Sequence, residues 1–154
     1  MIKDLIRKYN VPGPRYTSYP TVPYWDKTGI SYENWLSSCK KAFNQSNNDE
    51  GISLYIHLPF CENLCTFCGC HKRITKRHDV EEPYIETVLK EWQLYVDVFG
   101  TKPKIKELHL GGGTPTFFSA ENLKKLINGI KELSEVLPNS EFSFEGHPNN
   151  ATKE

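Results

Sequence analysis

Three strand-like runs, separated by two helical stretches, constrain the fold of this 154-residue chain more than any other feature. "ISLYIHL", 52–58, puts Ile52, Leu54, Ile56 and Leu58 on one face and Ser53, Tyr55 and His57 on the other, which is the period of a β-strand. Pro83 opens a helical stretch that carries Ile85, Val88, Leu89, Trp92, Val96 and Phe99, and Gly100 closes it. "KIKELHL", 104–110, is a second strand and ends in "GGGTP", 111–115. Ser119 caps a second helix with Leu123, Leu126, Ile127, Ile130, Leu133 and Leu137 on its apolar stripe. "SEFSFE", 140–145, is a third strand. The order β-loop-α-β-loop-α-β requires parallel strands joined by crossovers, hence an α/β domain. In such domains ligands gather at the carboxyl ends of the strands. A cysteine-rich loop, the glycine run and Glu145 all fall at those ends.

The N-terminal part is of another kind. Residues 2–10 form a short helix with Leu5, Ile6 and Tyr9 on one face. "VPGPRYTSYPTVPYW", 11–25, holds four prolines and a glycine, which forbids a helix. Its tyrosines make it either an extended strap on a domain surface or an arm that touches substrate. Ser31 caps a helix whose apolar face is Tyr32, Trp35, Leu36, Cys39 and Phe43, with Cys39 as a buried small hydrophobe. "NQSNNDEG", 44–51, reads as a polar linker. The expected organisation is an arm and helix over residues 1–50 and an α/β part over 51–154. In "NNATKE", Asn149, Asn150 and Thr152 read as the start of a further helix that would cover the third strand's edge. The expectation is an N-terminal piece of a longer protein, or a chain completed by a partner.

Charge excludes some functions. Lys+Arg and Asp+Glu both number 19, so a sequence-blind nucleic-acid binder, which carries a basic surplus, is not expected. No apolar run has the length of a membrane span, and "MIKDLIRKYN" mixes charged with apolar residues, unlike a secretory signal. The expected location is the cytoplasm, where clustered cysteines bind metal or do chemistry rather than form disulfides.

"CENLCTFCGCHK", 61–72, gathers four of the chain's five cysteines. Cys61, Cys65 and Cys68 can converge from one loop onto one metal centre. Zinc usually joins two separated ligand pairs, and iron–sulfur clusters take thiolates from local runs of this sort. Zinc and a disulfide remain as alternatives. Cys70 leaves a further choice open. Four thiolates would close a cluster as an electron carrier, and three would leave one iron free to bind a ligand. Gly69 permits the sharp bend that a fourth ligand would need.

C-x-x-x-C-x-x-C at the end of a first strand resembles the signature of the radical S-adenosylmethionine (SAM) enzymes. The resemblance implies a [4Fe–4S] cluster held by Cys61, Cys65 and Cys68, with Phe67 as the aromatic before the third ligand. SAM would then chelate the open iron and be split by one electron to a 5′-deoxyadenosyl radical. "GGGTP" resembles the family's glycine-rich loop, so Gly112, Gly113 and Thr114 are implied cofactor contacts. "GPRYTSYPT", 13–21, and "YIHLPFCENLCTFCGCHK", 55–72, closely resemble the oxygen-independent coproporphyrinogen III oxidases. The resemblance runs from about residue 11 to 148. It implies that 51–154 is the first half of a TIM-like radical SAM barrel. It also implies an oxidoreductase of haem biosynthesis that converts two propionates of coproporphyrinogen III to vinyls with loss of carbon dioxide.

By the same resemblance Tyr55 lies beside the cluster and Glu145 holds the cofactor's amino group, an anion beside an ammonium. The family usually has an acidic or small residue between this glutamate and the proline, and here the run is Gly146-His147-Pro148. Cys70 matches a family cysteine that is not a cluster ligand. Cys70 and His57 are the candidate catalytic residues, and Arg15 of the arm is the candidate partner for a substrate carboxylate. Implied partners are the porphyrinogen and an electron donor such as flavodoxin or ferredoxin. Two other readings stand beside this one. A haem chaperone would use the same cofactor site, although chaperones usually have an acidic-aromatic pair at the Gly69-Cys70 position and lack the Arg-Tyr-Thr-Ser-Tyr arm. The last is an inactive fragment that binds a cluster or zinc.

Overall fold

The computed structural model describes residues 2–11, 21–25, 28–29 and 31–148. The chain divides into two compact units, Met1–Trp35 and Leu36–Glu154. In the first, helix α1 (Ile2–Tyr9) is exposed along its whole length, and a 3-10 turn spans Val22–Tyr24. Arg15 and most of the proline-rich arm lie outside the described residues. Helix α2 (Tyr32–Asn48) begins as expected, with Ser31 Oγ accepting a hydrogen bond from Asn34 N at 3.1 Å.

The second unit contains, in order, β1 (Ile52–Leu58), β2 (Phe60–Cys61), β3 (Arg73–Ile74), α3 (Glu81–Phe99), β4 (Lys104–Gly112), α4 (Ala120–Glu132) and β5 (Glu135–Phe144). β1, β4 and β5 form one parallel sheet in that spatial order. The architecture is thus the α/β one that the alternation of strand and helix periods requires. Its core joins one face of the sheet (Ile56, Leu58, Ile105, Leu108, Leu110) to Ile85 and Trp92 of α3 and to Leu126 and Ile130 of α4. Each such side chain taken fully out of water contributes about 1.5–3 kcal/mol before chain entropy is counted. The opposite face carries a cross-strand row in register, Tyr55, His109 and Ser143.

Several boundaries differ from expectation. α3 begins at Glu81, so Pro83 sits third in its first turn, where a missing N–H still costs nothing. Gly100 closes the helix at φ 70° as expected. α4 stops at Glu132, and Leu137 lies in β5 instead of on the helical stripe. β5 starts earlier than the alternating run because Glu135 and Val136 already pair with Lys104 and Ile105. The register then shifts before Glu107 meets Glu141, so the proline-containing segment between is bulged out.

The stretch 44–51 is not a linker. Helix α2 continues through it to Asn48, and Asn47 is buried. Asn47 Oδ1 accepts from Lys104 N at 2.7 Å, and its Nδ2 donates to Lys102 O at 3.3 Å, clamping the start of β4. Phe43 stacks on Phe99 with centroids 3.8 Å apart. Cys39 is only partly buried, and Tyr32 and Trp35 are exposed, so the apolar face of α2 is narrower than its spacing suggests. The pairing of β2 with β3 has no counterpart in the periodicity.

Candidate active site

The cysteine loop is a closed structure with a hydrogen-bonded base. Arg73 N donates to Pro59 O at 2.8 Å and Thr75 N to Cys61 O at 2.9 Å, so residues 62–72 leave and return at one point. That point is the carboxyl end of β1, because β2 follows it after one proline. Within the loop Cys68 N donates to Cys65 O at 3.1 Å, a tight turn that sets the second and third motif cysteines on one bend.

The glycine run packs directly beneath. Gly113 N donates to Leu58 O at 2.8 Å and Thr114 N to Phe60 O at 3.0 Å, stitching the end of β4 to the root of the cysteine loop. Gly112 has φ 114°, a conformation open mainly to glycine, and a β-carbon there would lie 2.6 Å from the His57 ring. A β-carbon on Gly113 would strike the Pro59 carbonyl. The protein's own packing therefore demands these glycines, before any ligand is considered. Thr114 Oγ1 donates to Cys61 Sγ at 3.2 Å and ties the two loops through the first cysteine.

Glu145 follows β5 and is fixed by its own N–H donating to Leu110 O at 3.0 Å. Its Oε2 accepts from Gly112 N at 3.3 Å, and its Oε1 lies 3.8 Å from His109 Nε2. His109 is held from the other side by Ser143 Oγ at 2.9 Å from Nδ1, and its ring stacks on Tyr55 with centroids 5.9 Å apart. The Tyr55 hydroxyl is 3.0 Å from His57 Nδ1, and His57 Nε2 is 2.7 Å from His71 O. Tyr84 OH donates to His57 O at 2.6 Å.

These elements enclose a cleft of about 280 Å³. Cys61, Cys65, Cys68, Cys70, Phe67, Gly112, Gly113, Thr114 and Glu145 all line it. Tyr55 and His57 do not; they stand beside it on β1 and line a separate pocket with Tyr84. Lys72 and His109 are site residues that the sequence did not single out, and His147 stood out only as a departure from the family's pattern. Lys72 and His147 line the cleft, and His109 braces Glu145. His109 had a signal, since the parallel register places it beside Tyr55. Phe67 is 89% exposed at the rim.

The thiols are not equivalent. Cys61 is buried, Cys68 partly buried, and Cys65 and Cys70 exposed, all of them free. The Cys70 backbone N–H, aided by Lys72, holds the Cys68 thiol below its ordinary range. Partial desolvation, with Cys68 and Glu145 nearby, pushes the Cys70 thiol up. Desolvation and the Glu145 charge likewise raise the Tyr55 phenol. Three thiols on one wall suit a thiolate-held iron–sulfur cluster in donor chemistry. Their side chains are not drawn together, since among the described residues no three His, Cys, Asp or Glu side chains could hold a metal ion.

No family model matches the chain. Curated relatives do. The chain is 36% identical over 141 residues to the oxygen-independent coproporphyrinogen III oxidase of Bradyrhizobium diazoefficiens, covering 90% of this chain and 30% of that protein. It is 40% identical over 154 residues to the enzyme of the same name from Helicobacter pylori, covering 96% and 32%. The solved coproporphyrinogen III oxidase of Escherichia coli, described as a radical SAM enzyme, superposes with TM-score 0.75 at 28% identity. That match covers 96% of this chain and 31% of that one. The chain is a relative of the oxygen-independent coproporphyrinogen III oxidases. It spans about 30% of the length of the curated relatives it matches. The parallel sheet and its two covering helices correspond to that part of the radical SAM fold. Among the described residues no helix is long and apolar enough to cross a membrane.

Proposed function

We propose that this chain supplies the cofactor-binding part of a radical SAM enzyme that oxidatively decarboxylates coproporphyrinogen III to protoporphyrinogen IX. The observation that carries the reading is one cleft at the strand ends, lined by the three motif thiols and Cys70 together with the glycine loop and Glu145. Cys61, Cys65 and Cys68 would hold a [4Fe–4S] cluster. The Cys70 backbone N–H, aided by Lys72, favours the Cys68 thiolate, the form that ligates iron. Glu145 is 58% exposed on its side chain and would accept from the SAM ammonium, while Gly112, Gly113 and Thr114 let the backbone come close. When bound, the cluster and SAM together supply one-electron cleavage of the sulfonium and so the abstraction of a hydrogen atom.

The chain's own residues serve that chemistry by placement. Tyr55, held on β1 against His57 and His109, would flank the cofactor. Cys70, in the cleft, and His57, beside it on β1, would act toward the substrate, and Phe67 would offer an apolar rim. Arg15 would meet a propionate. Cleavage of SAM would consume one electron, so an electron donor such as flavodoxin or ferredoxin belongs to the reading, and each propionate that becomes a vinyl with loss of carbon dioxide would release one electron to an acceptor. Free thiols in such number suit the cytoplasm.

The test is EPR of the anaerobically reconstituted, dithionite-reduced protein, with and without SAM. A cluster signal that shifts on adding SAM is expected, because three thiolates leave one iron open. A silent sample carrying stoichiometric zinc would overturn the assignment. Cys65→Ala is expected to retain little iron. Arg15→Ala is expected to weaken porphyrinogen binding in the protein that carries this chain.

A further inference from the structure

Beside the cleft a second polar cluster ties the cysteine loop to the helices. Glu81, first residue of α3, is 2% exposed. Its Oε2 accepts from Ser119 N at 2.9 Å and Asn122 Nδ2 at 2.8 Å, both at the start of α4. Its Oε1 lies 2.6 Å from His78 Nδ1. The other imidazole nitrogen, His78 Nε2, lies 3.3 Å from Oε1 of Glu62, the residue directly after Cys61. The His78 ring stacks at 4.5 Å and 14° on Phe117, which follows the glycine loop.

We propose that His78 is a positioning residue for the cysteine loop, latching Glu62 to the buried Glu81 and resting on Phe117. One ring thereby touches the cysteine loop, the segment after the glycine loop, and the buried carboxylate that joins α3 to α4. A neutral imidazole has one N–H and can donate to one of two carboxylates, whereas the imidazolium donates to both. The buried Glu81 pair is the shorter, so the Glu62 contact is the one lost on deprotonation. Glu62 and Glu81 are the charged groups that face the ring. Its neighbours Arg77 and Asp79 pair with each other, and the Pro115–Phe117 turn brings no titratable group. Hydrogen bonding to Glu81 first, and to Glu62 after it, raises the His78 pKa, so the latch is closed at low pH and opens as pH rises through that value.

The latch is independent of the cluster reading, while its effect on iron retention rests on that reading. The experiment therefore has two readouts. Amide hydrogen exchange of the peptide 62–72, corrected for intrinsic rate, is followed against pH in the metal-free full chain. Glu62→Ala leaves the His78–Glu81 pair and the fold in place. It is expected to speed loop exchange about threefold below the His78 pKa, a size set by a partly exposed ion pair. It is also expected to abolish the wild-type loss of protection on raising the pH. Glu62→Gln, which still accepts but carries no charge, is expected to fall between. Loop exchange in Glu62→Ala equal to wild type at every pH would overturn the latch. On the reconstituted protein, iron loss to a chelator is expected to be about threefold faster in Glu62→Ala. Equal rates would overturn the role toward the cluster. A chain that holds no iron at all would remove the cluster reading, and the exchange result on the latch would still stand.

Discussion

A β-carbon on Gly113 would stand 2.6 Å from the carbonyl carbon of Pro59, closer than real β-carbons come to a backbone atom. The contact exists because Gly113 N donates to Leu58 O, drawing the end of β4 against the turn that launches the cysteine loop. The neighbour is backbone, so nothing cheap can move. Gly113→Ala should cost about 1–3 kcal/mol, the range for overpacking, and lower the urea midpoint accordingly. Gly129→Ala is the control. Its β-carbon would first meet the tip of the Leu89 side chain, which can turn aside, and alanine gains helix propensity there, so its midpoint should stay closer to wild type.

Alkylation should rank the cysteines by their surroundings. In the metal-free protein near neutral pH, Cys68 should react with iodoacetamide ahead of Cys70, because its thiol is held low and that of Cys70 is pushed up. Cys61 should react last, being buried beneath Thr114. After cluster reconstitution Cys61, Cys65 and Cys68 should be protected while Cys70 stays reactive. Peptide mass spectrometry reads all four. Protection of Cys70 together with the other three would point to four ligands and a closed cluster.

Asn47 replaces what the sequence offers as a linker with a buried clamp. Asn47→Ala leaves the Lys104 N–H without its acceptor and should cost about 1–3 kcal/mol, the penalty for an orphaned buried group. Asn47→Asp keeps an acceptor for Lys104 N but sets an oxygen that cannot donate against Lys102 O and buries a charge, so its denaturation midpoint should also fall below wild type.

The contrast between Asn47 and Leu108 shows where sequence reading works. Leu108 belongs to a short run between two helical stretches, and that order requires a parallel strand, so the strand and its parallel neighbours were legible. Asn47 carries no such signal. A polar residue near a helix end is ordinary, and its buried role depends on β4, which lies more than fifty residues away in sequence. The same holds at the site. The cysteine spacing and the glycine run are local patterns and point to one cleft. By contrast, the His78–Glu62 contact spans two elements, and β2 and β3 are too short to show a period. The early start of β5 was hidden for another reason. Pro138 and Asn139 break the alternation where the strand bulges, although the chain is already paired before them.

The His78–Glu81 pair makes stability depend on pH in both directions. Burial raises the Glu81 pKa, but bonds from Ser119 N, Asn122 and His78 outweigh it and hold the carboxyl below its ordinary 4.5. Its contribution is present above 4.5 and lost as pH falls through the lower folded value. His78 is raised above its ordinary 6.5, chiefly by the Glu81 bond, so its contribution is complete below 6.5 and lost as pH rises through the higher folded value. The pair therefore stabilises most between the two ordinary values. In urea unfolding, the advantage of wild type over His78→Gln should be largest in that window and shrink on the alkaline side. Glu81→Ala should cost about 2 kcal/mol across the neutral range, because the Ser119 N–H and the Asn122 amide lose a buried acceptor. A wild-type advantage over His78→Gln that grows with alkaline pH would reverse the sign and remove the imidazolium from the account.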